Sequence, residues 1–150
     1  MAAFSRNPIR SWVLVVLQAL SLLYLAVSAP VISHRADYQI WQLSGLFISI
    51  SGLLGLSWHS FSVFPEPKKT GRFISSGIYR FIRHPMYAGI LIISFVLVWE
   101  YYSIWRLATW IILGFVFVLK IQREEQLLEA SFPEYEAYKQ NTNRLIPFIW

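Results

Sequence analysis

Arg83-His84-Pro85 is the first place in this 150-residue chain where residue types and spacing suit chemistry. Proline disfavours the helical region for the residue before it and suits the first turn of a helix, so Arg83 and His84 are predicted to stand at a helix N-terminus. Free N–H groups, the positive end of the helix dipole and two cationic or donor side chains form an anion site there, for a carboxylate or a phosphate. Tyr79 and Tyr87 flank it with aromatic faces, and Ala88 and Gly89 leave room for a ligand or another helix near the backbone. Glu124-Glu125 is the second place. Adjacent side chains on a helix diverge by about 100°, so one acid is expected to face the bundle, paired with a cation from the central loop, and the other to face water. At the depth of Arg83 and His84 such acids would receive the ammonium or hydroxyls of a ligand whose carboxylate the basic pair holds. Arg144-Leu145-Ile146-Pro147-Phe148-Ile149-Trp150 closes the chain with a basic residue and an apolar cap, either a lid over the site or an anchor. A plainer reading also stands on residue types alone: the arginines mark topology, His84 and the tyrosines sit at a membrane interface, and the glutamates are a solvated helix end.

Composition says what positions these residues. The chain is 56% apolar, 17% aromatic and only 14% charged, against a usual charged share of about 25%, and its mean hydropathy is +0.48. That is too little charge to cover a soluble globule. It points to the membrane class and away from soluble enzymes, disordered or collagenous chains and nucleic-acid binders. With no cysteine, disulfides, thiolate metal sites and a cysteine nucleophile are excluded.

Residues 11–33 and, His59 apart, residues 38–65 carry no charge, and each run exceeds the roughly 20 residues that a spanning helix needs. Residues 85–99 and 107–119 are shorter uncharged runs separated by an aromatic-rich polar stretch suited to headgroup depth. They are predicted as a third and fourth helix joined by a tight turn, with a tilted or re-entrant hairpin as the alternative. The fourth helix is expected to continue past Leu119 to Glu129. The expected fold is therefore all-α: a polytopic membrane helix bundle of about four transmembrane helices, forming a single integral membrane domain over residues 1–150. Leu127, Leu128, Phe132, Tyr135 and Tyr138 are predicted to form a cytoplasmic C-terminal amphipathic segment lying on the membrane surface.

Lys and Arg flanking the spans set the orientation. Arg6 and Arg10 precede the first helix; Lys68, Lys69, Arg72, Arg80 and Arg83, against Glu66 alone, lie between the second and third; Lys120, Arg123, Lys139 and Arg144 follow the fourth. Arg35 and Arg106 remain for the opposite face. Both termini and the central loop are thus predicted to be cytoplasmic. Topology accounts for most of the net charge of +5 without a nucleic-acid partner, and anionic lipid headgroups are natural neighbours. The first helix is read as a signal anchor, being longer than the roughly 7–15 residues of a cleaved signal core.

Gly77-Ile78-Tyr79-Arg80-Phe81-Ile82-Arg83-His84-Pro85-Met86-Tyr87-Ala88-Gly89, taken with Glu124-Glu125, Phe132-Pro133-Glu134-Tyr135, Tyr138 and Arg144-Leu145-Ile146-Pro147-Phe148, resembles the isoprenylcysteine carboxyl methyltransferase and phospholipid methyltransferase family of integral membrane enzymes. The resemblance spans residues 65–150, a methyltransferase-like core; the first two helices match only in character. It implies S-adenosylmethionine bound on the cytoplasmic side between the last two helices, a lipophilic or prenylated acceptor arriving from the bilayer, and no metal. Carried over residue by residue, it implies that Tyr79, His84, Tyr87, Gly89 and Glu125 bind the cofactor. It likewise makes Arg83 and Glu124 catalytic and Arg144 a closing, substrate-binding residue, to which the chemistry of gripping a carboxylate adds Arg123 as substrate-binding. The Gly-x-Gly element of phospholipid methyltransferases has no counterpart, since Gly52-Leu53-Leu54-Gly55 is spaced differently, which favours a carboxylate acceptor over a phospholipid amine.

A carboxylate is already an anion at neutral pH, so its methylation needs alignment rather than a base, with an arginine such as Arg83 or Arg123 gripping it in two prongs. An amine would need Glu124 or Glu125 to take its proton. Other readings are a nicotinamide-dependent reductase related to membrane sterol reductases, a haem-carrying bundle ligated by His59 and His84 with His34 on the opposite face, and a membrane scaffold whose charges serve topology alone.

Overall fold

Long runs without charge leave the backbone to satisfy its own hydrogen bonds, and a helix does so within one segment. The structure, a computed structural model, describes residues 8–55 and 74–145, and within them the chain is all-helical. Its elements are α1 (Pro8–Val27), α2 (Ala36–Gly55), a short 3-10 turn (Gly77–Arg80), α3 (Pro85–Glu100), α4 (Ile104–Ser131) and α5 (Tyr135–Gln140). Arg6, His59, Glu66, Lys68, Lys69, Arg72, the side chain of Arg10 and residues 146–150, with their expected roles in topology, haem ligation or closure, lie outside the described residues.

The α1–α2 connection is tied by two amides of α2. Gln42 accepts from the Ser33 N–H at 3.0 Å and donates to the Val31 carbonyl at 3.0 Å, and Gln39 donates to the Ser33 carbonyl at 2.8 Å. Together they satisfy turn backbone that has no helical partner.

Gly45, Ser49 and Gly52 recur at i, i+4 and i+7, one face of a helix, and this face of α2 meets α3. A Cβ on Gly45 would lie 2.8 Å from the Gly89 carbonyl oxygen, one on Gly52 would lie 2.8 Å from Pro85 Cγ, and one on Gly89 would overlap Ser49 Oγ and the Gly45 carbonyl oxygen. Small residues let the two backbones touch, as in packed membrane helices. Gly89, expected in a cofactor pocket, therefore lends its missing side chain to the α2–α3 contact.

α1 packs on α4, and Leu25, Val98, Leu113 and Phe117 meet in a buried cluster joining α1, α3 and α4. Arg106, expected as a charge on the opposite headgroup face, turns inward: its Nη2 donates to the Leu97 carbonyl at 3.1 Å, placing a cation on the last turn of α3. A cation suits the carbonyl-rich end of a helix.

Among the described residues α4 is the one helix both long and apolar enough to cross a bilayer by length and composition, while Ser11–Val27 and Pro85–Glu100 are shorter apolar helices. Exposed Trp12, Leu20, Trp41, Phe47, Ile111 and Phe115 give α1, α2 and α4 an apolar outer surface. The uncharged run of α4 ends at Leu119. At about 1.5 Å per residue, this helix outreaches α3, and its polar last turns carry Glu124 and Glu125 past the start of α3.

The tail departs from expectation. Pro133, without an N–H, helps end α4, with Phe132 extended at its C-cap. α5 then turns the chain back, so that Asn143 pairs in parallel with Ile82. The Arg83 N–H donates to the Asn143 carbonyl at 2.8 Å, the His84 N–H to the Arg144 carbonyl at 3.0 Å and the Asn143 N–H to the Phe81 carbonyl at 3.3 Å. Tyr135 is only 1% exposed and Leu145 packs with Ala88 and Ile121. The segment expected to be amphipathic thus buries Tyr135 inside the protein and caps the chain that precedes α3.

Candidate functional site

Gly77, at φ 62°, begins the 3-10 turn in the left-handed region that glycine adopts without strain. The turn aims Tyr79 at the end of α2, where its hydroxyl donates to the Gly52 carbonyl at 3.1 Å and a Cβ on Gly55 would lie 3.0 Å from its ring. Burial pushes the Tyr79 phenol up, so it stays a neutral donor. Gly52 and Gly55, noted above only for their spacing, are thus the seat of Tyr79. Tyr79→Phe is expected to cost about 0.5–1.5 kcal/mol, the worth of one hydrogen bond, read as a modest fall in melting temperature in detergent.

His84 caps α3 and Pro85 occupies its first turn, as the sequence pattern predicts. The anion at this helix start is supplied by the chain itself. Arg83 Nε donates to Glu125 Oε1 at 2.8 Å, and Arg144 Nε donates to Glu125 Oε2 at 3.0 Å. Arg83 Nη1 also donates to the Lys139 carbonyl at 2.9 Å and to the Thr142 carbonyl and hydroxyl. The Arg83 and Glu125 side chains are 6% and 4% exposed. Burial alone would raise the Glu125 carboxyl, but His84 and Arg83 beside it hold it down at about 2.

Glu124, one step round the helix, is different. Its side chain is 33% exposed. Even so, the crowded wall around it pushes its carboxyl up, against the pull of His84 and Lys120 and the Tyr87 hydrogen bond. Tyr87 donates to Glu124 Oε2 at 3.4 Å. The His84 ring lies between the two acids, with Nδ1 3.7 Å from Glu124 Oε2 and Nε2 3.4 Å from Glu125 Oε1. The second approach is misaligned, leaving Nε2 buried without a hydrogen bond. Tyr87 stacks on His84 and on Phe117, with ring centroids 5.8 and 4.7 Å apart.

Of the predicted residues, the structure brings together Arg83, His84, Tyr87, Glu124, Glu125 and Arg144. Tyr79 joins through the tail, its carbonyl accepting from the Tyr138 hydroxyl at 2.6 Å. Arg123 is half-buried on α4, and the ion pairs to Glu125 come from Arg83 and Arg144 instead. Gly89 faces α2. The arrangement differs in kind from an arginine site awaiting an anion: both arginines are engaged by Glu125, and the opening is acidic and aromatic, a surface that favours a cation.

Lys120 is a participant that sequence reasoning used only as a topology charge. It is 1% exposed, with its ammonium 5.5 Å from the Tyr87 ring centroid and 2.5 Å from the Gln18 side-chain oxygen of α1. The available signal was Gln18 itself, an amide within the apolar run from Trp12 to Leu20 of α1, since polar groups at such positions seek partners.

The model of the isoprenylcysteine carboxyl methyltransferase (ICMT) family matches residues 40–130, which takes in most of α2, all of α3 and nearly all of α4. None of the curated proteins matches the chain.

Proposed function

Since the chain belongs to the isoprenylcysteine carboxyl methyltransferase family, a family of methyltransferases, we propose that it transfers a methyl group from S-adenosylmethionine to a lipophilic carboxylate of the isoprenylcysteine kind. The observation that carries the donor assignment is the split between the two acids: Glu125 is consumed by Arg83 and Arg144, while Glu124 stays partly open beside Tyr87 and His84. A donor bearing a sulfonium and an ammonium fits a partly open acid with an aromatic neighbour. Bound there, S-adenosylmethionine would supply an electrophilic methyl group.

In this reading Glu124 meets the donor's positive charge, His84 and Tyr87 orient it, and Arg83, Glu125 and Arg144 hold the walls. Arg83 thereby becomes a positioning residue rather than the group that touches the donor. The acceptor carboxylate is already ionised at neutral pH, so the side chains align and exclude water rather than remove a proton. We read all four long helices as the membrane bundle, with the apolar outer surface of α1, α2 and α4 toward lipid, the site and both termini toward the cytoplasm, and the acceptor arriving from the bilayer.

The test is titration of S-adenosylmethionine into the protein in nanodiscs, with reduced nicotinamide dinucleotide phosphate as control. Saturable binding of the first alone is expected, and Glu124→Gln is expected to weaken it about ten- to a hundredfold, the worth of one charge-assisted contact. Binding of the nicotinamide compound alone, or of neither, would overturn the proposal.

A further inference from the structure

Lys120 is an ammonium taken almost wholly out of solvent, a placement that costs several kcal/mol unless partners offset it. Its partners point two ways. Its Nζ donates to Gln18 on α1 at 2.5 Å, and it faces the ring of Tyr87, whose hydroxyl donates to Glu124. Glu124 lies one helical turn further along α4, on the same face as Lys120, so this cation acts on the open acid from within the same helix. α1 lies outside the family-matched segment, yet Gln18 is what meets the cation from that side.

We propose that Gln18 is a positioning residue for the open acid: by holding the Lys120 ammonium over Tyr87, it keeps Glu124 ionised and able to receive a cationic ligand. The described groups around Glu124 include His84 at the start of α3, Tyr87 on α3, Tyr79 on the 3-10 turn, Tyr135 on α5, and Lys120 and Glu125 on α4. Of these, Lys120 and His84 favour its charge, the Tyr87 hydroxyl supports it by hydrogen bonding, and Glu125 opposes it. Burial pushes the Glu124 carboxyl up and the Lys120 charge pulls it down, so withdrawing that cation raises it further. The inference takes its ligand from the donor assignment above, but its geometry stands apart from it.

The experiment follows two signals against pH in nanodiscs: the affinity for S-adenosylmethionine, and the ¹³C shift of the Glu124 carboxyl, assigned by its absence in Glu124→Gln. Wild-type affinity is expected to fall as pH drops through the titration of Glu124. Lys120→Met should move both midpoints up by about one pH unit, and Gln18→Leu should move them in the same direction by less. Leu17→Ala, on the exposed side of α1, should move neither. Variants that lower the melting temperature while leaving the Glu124 midpoint at its wild-type value would overturn the inference and make Lys120–Gln18 a mere pin between helices. Absence of donor binding in wild type overturns the donor assignment instead, and the carboxyl titration still decides the role of Gln18.

Discussion

Arg83→Ala is expected to be the most damaging single substitution in the described part of the chain. It strips Glu125 of its closest cation and releases the Lys139 and Thr142 carbonyls together, leaving α5 and the strand-like tail to backbone pairing, the Tyr138 hydroxyl and the Arg144–Glu125 pair. Breaking a buried pair by removing one partner costs about 3–5 kcal/mol, and unfolding in detergent should show a loss of that order with early proteolysis between residues 132 and 145. Arg83→Lys should recover only part of it, because an ammonium cannot reproduce the planar fork that meets a carboxylate and two carbonyls at once. The acid limb of stability offers a second readout. The Glu125 carboxyl is lowered from 4.5 to about 2 in the fold, so its contribution is complete above the unfolded value and disappears as pH falls from there toward 2. Wild type should lose stability over that window, and Arg83→Ala should show a shallower loss. An alanine variant as stable as wild type at neutral pH would contradict the clasp.

Gly89→Ala is expected to be the second most damaging, for a different reason. The added methyl would collide with Ser49 Oγ and the Gly45 carbonyl oxygen, both on α2, and the backbones would have to part. Overpacking of this kind costs about 1–3 kcal/mol. Because the position faces α2 and not the acids, the folded fraction should bind S-adenosylmethionine with wild-type affinity. A variant of normal melting temperature and lost affinity would return Gly89 to the cofactor pocket where the family resemblance had put it.

What could be read from the sequence was what local rules govern. Pro85 marks the start of α3 and His84 its cap because both effects act within one or two residues. The continuation of α4 past Leu119 and the divergence of Glu124 from Glu125 follow from helical geometry alone. The pairing of one acid with a loop cation was also legible, though not which acid. The docking of the tail was not legible for a physical reason: Tyr135 and Tyr138 have the spacing of an amphipathic helix, but the tail is held by backbone pairing between Ile82 and Asn143, and no periodicity encodes a contact so distant along the chain. At Gly89 the sequence left two occupants open, because a glycine in a motif shows only that space is needed; the Gly45–Ser49 face of α2 lies against it. Arg106 followed the charge rule in sequence, yet the carbonyl end of α3 drew it inward.

The closure of the site by residues 139–144 also sets an order of events during synthesis. α1, α2 and α3 leave the ribosome before any partner for Arg83 exists, and α4 delivers Glu125 well ahead of the carbonyls that complete the clasp. Contacts this far apart in sequence form only after the intervening loop has closed. A nascent chain halted before residue 139 would hold its helices and both acids but not the clasp that holds the walls. Completion of the Arg83 clasp is therefore a late event, coupled to docking of the tail.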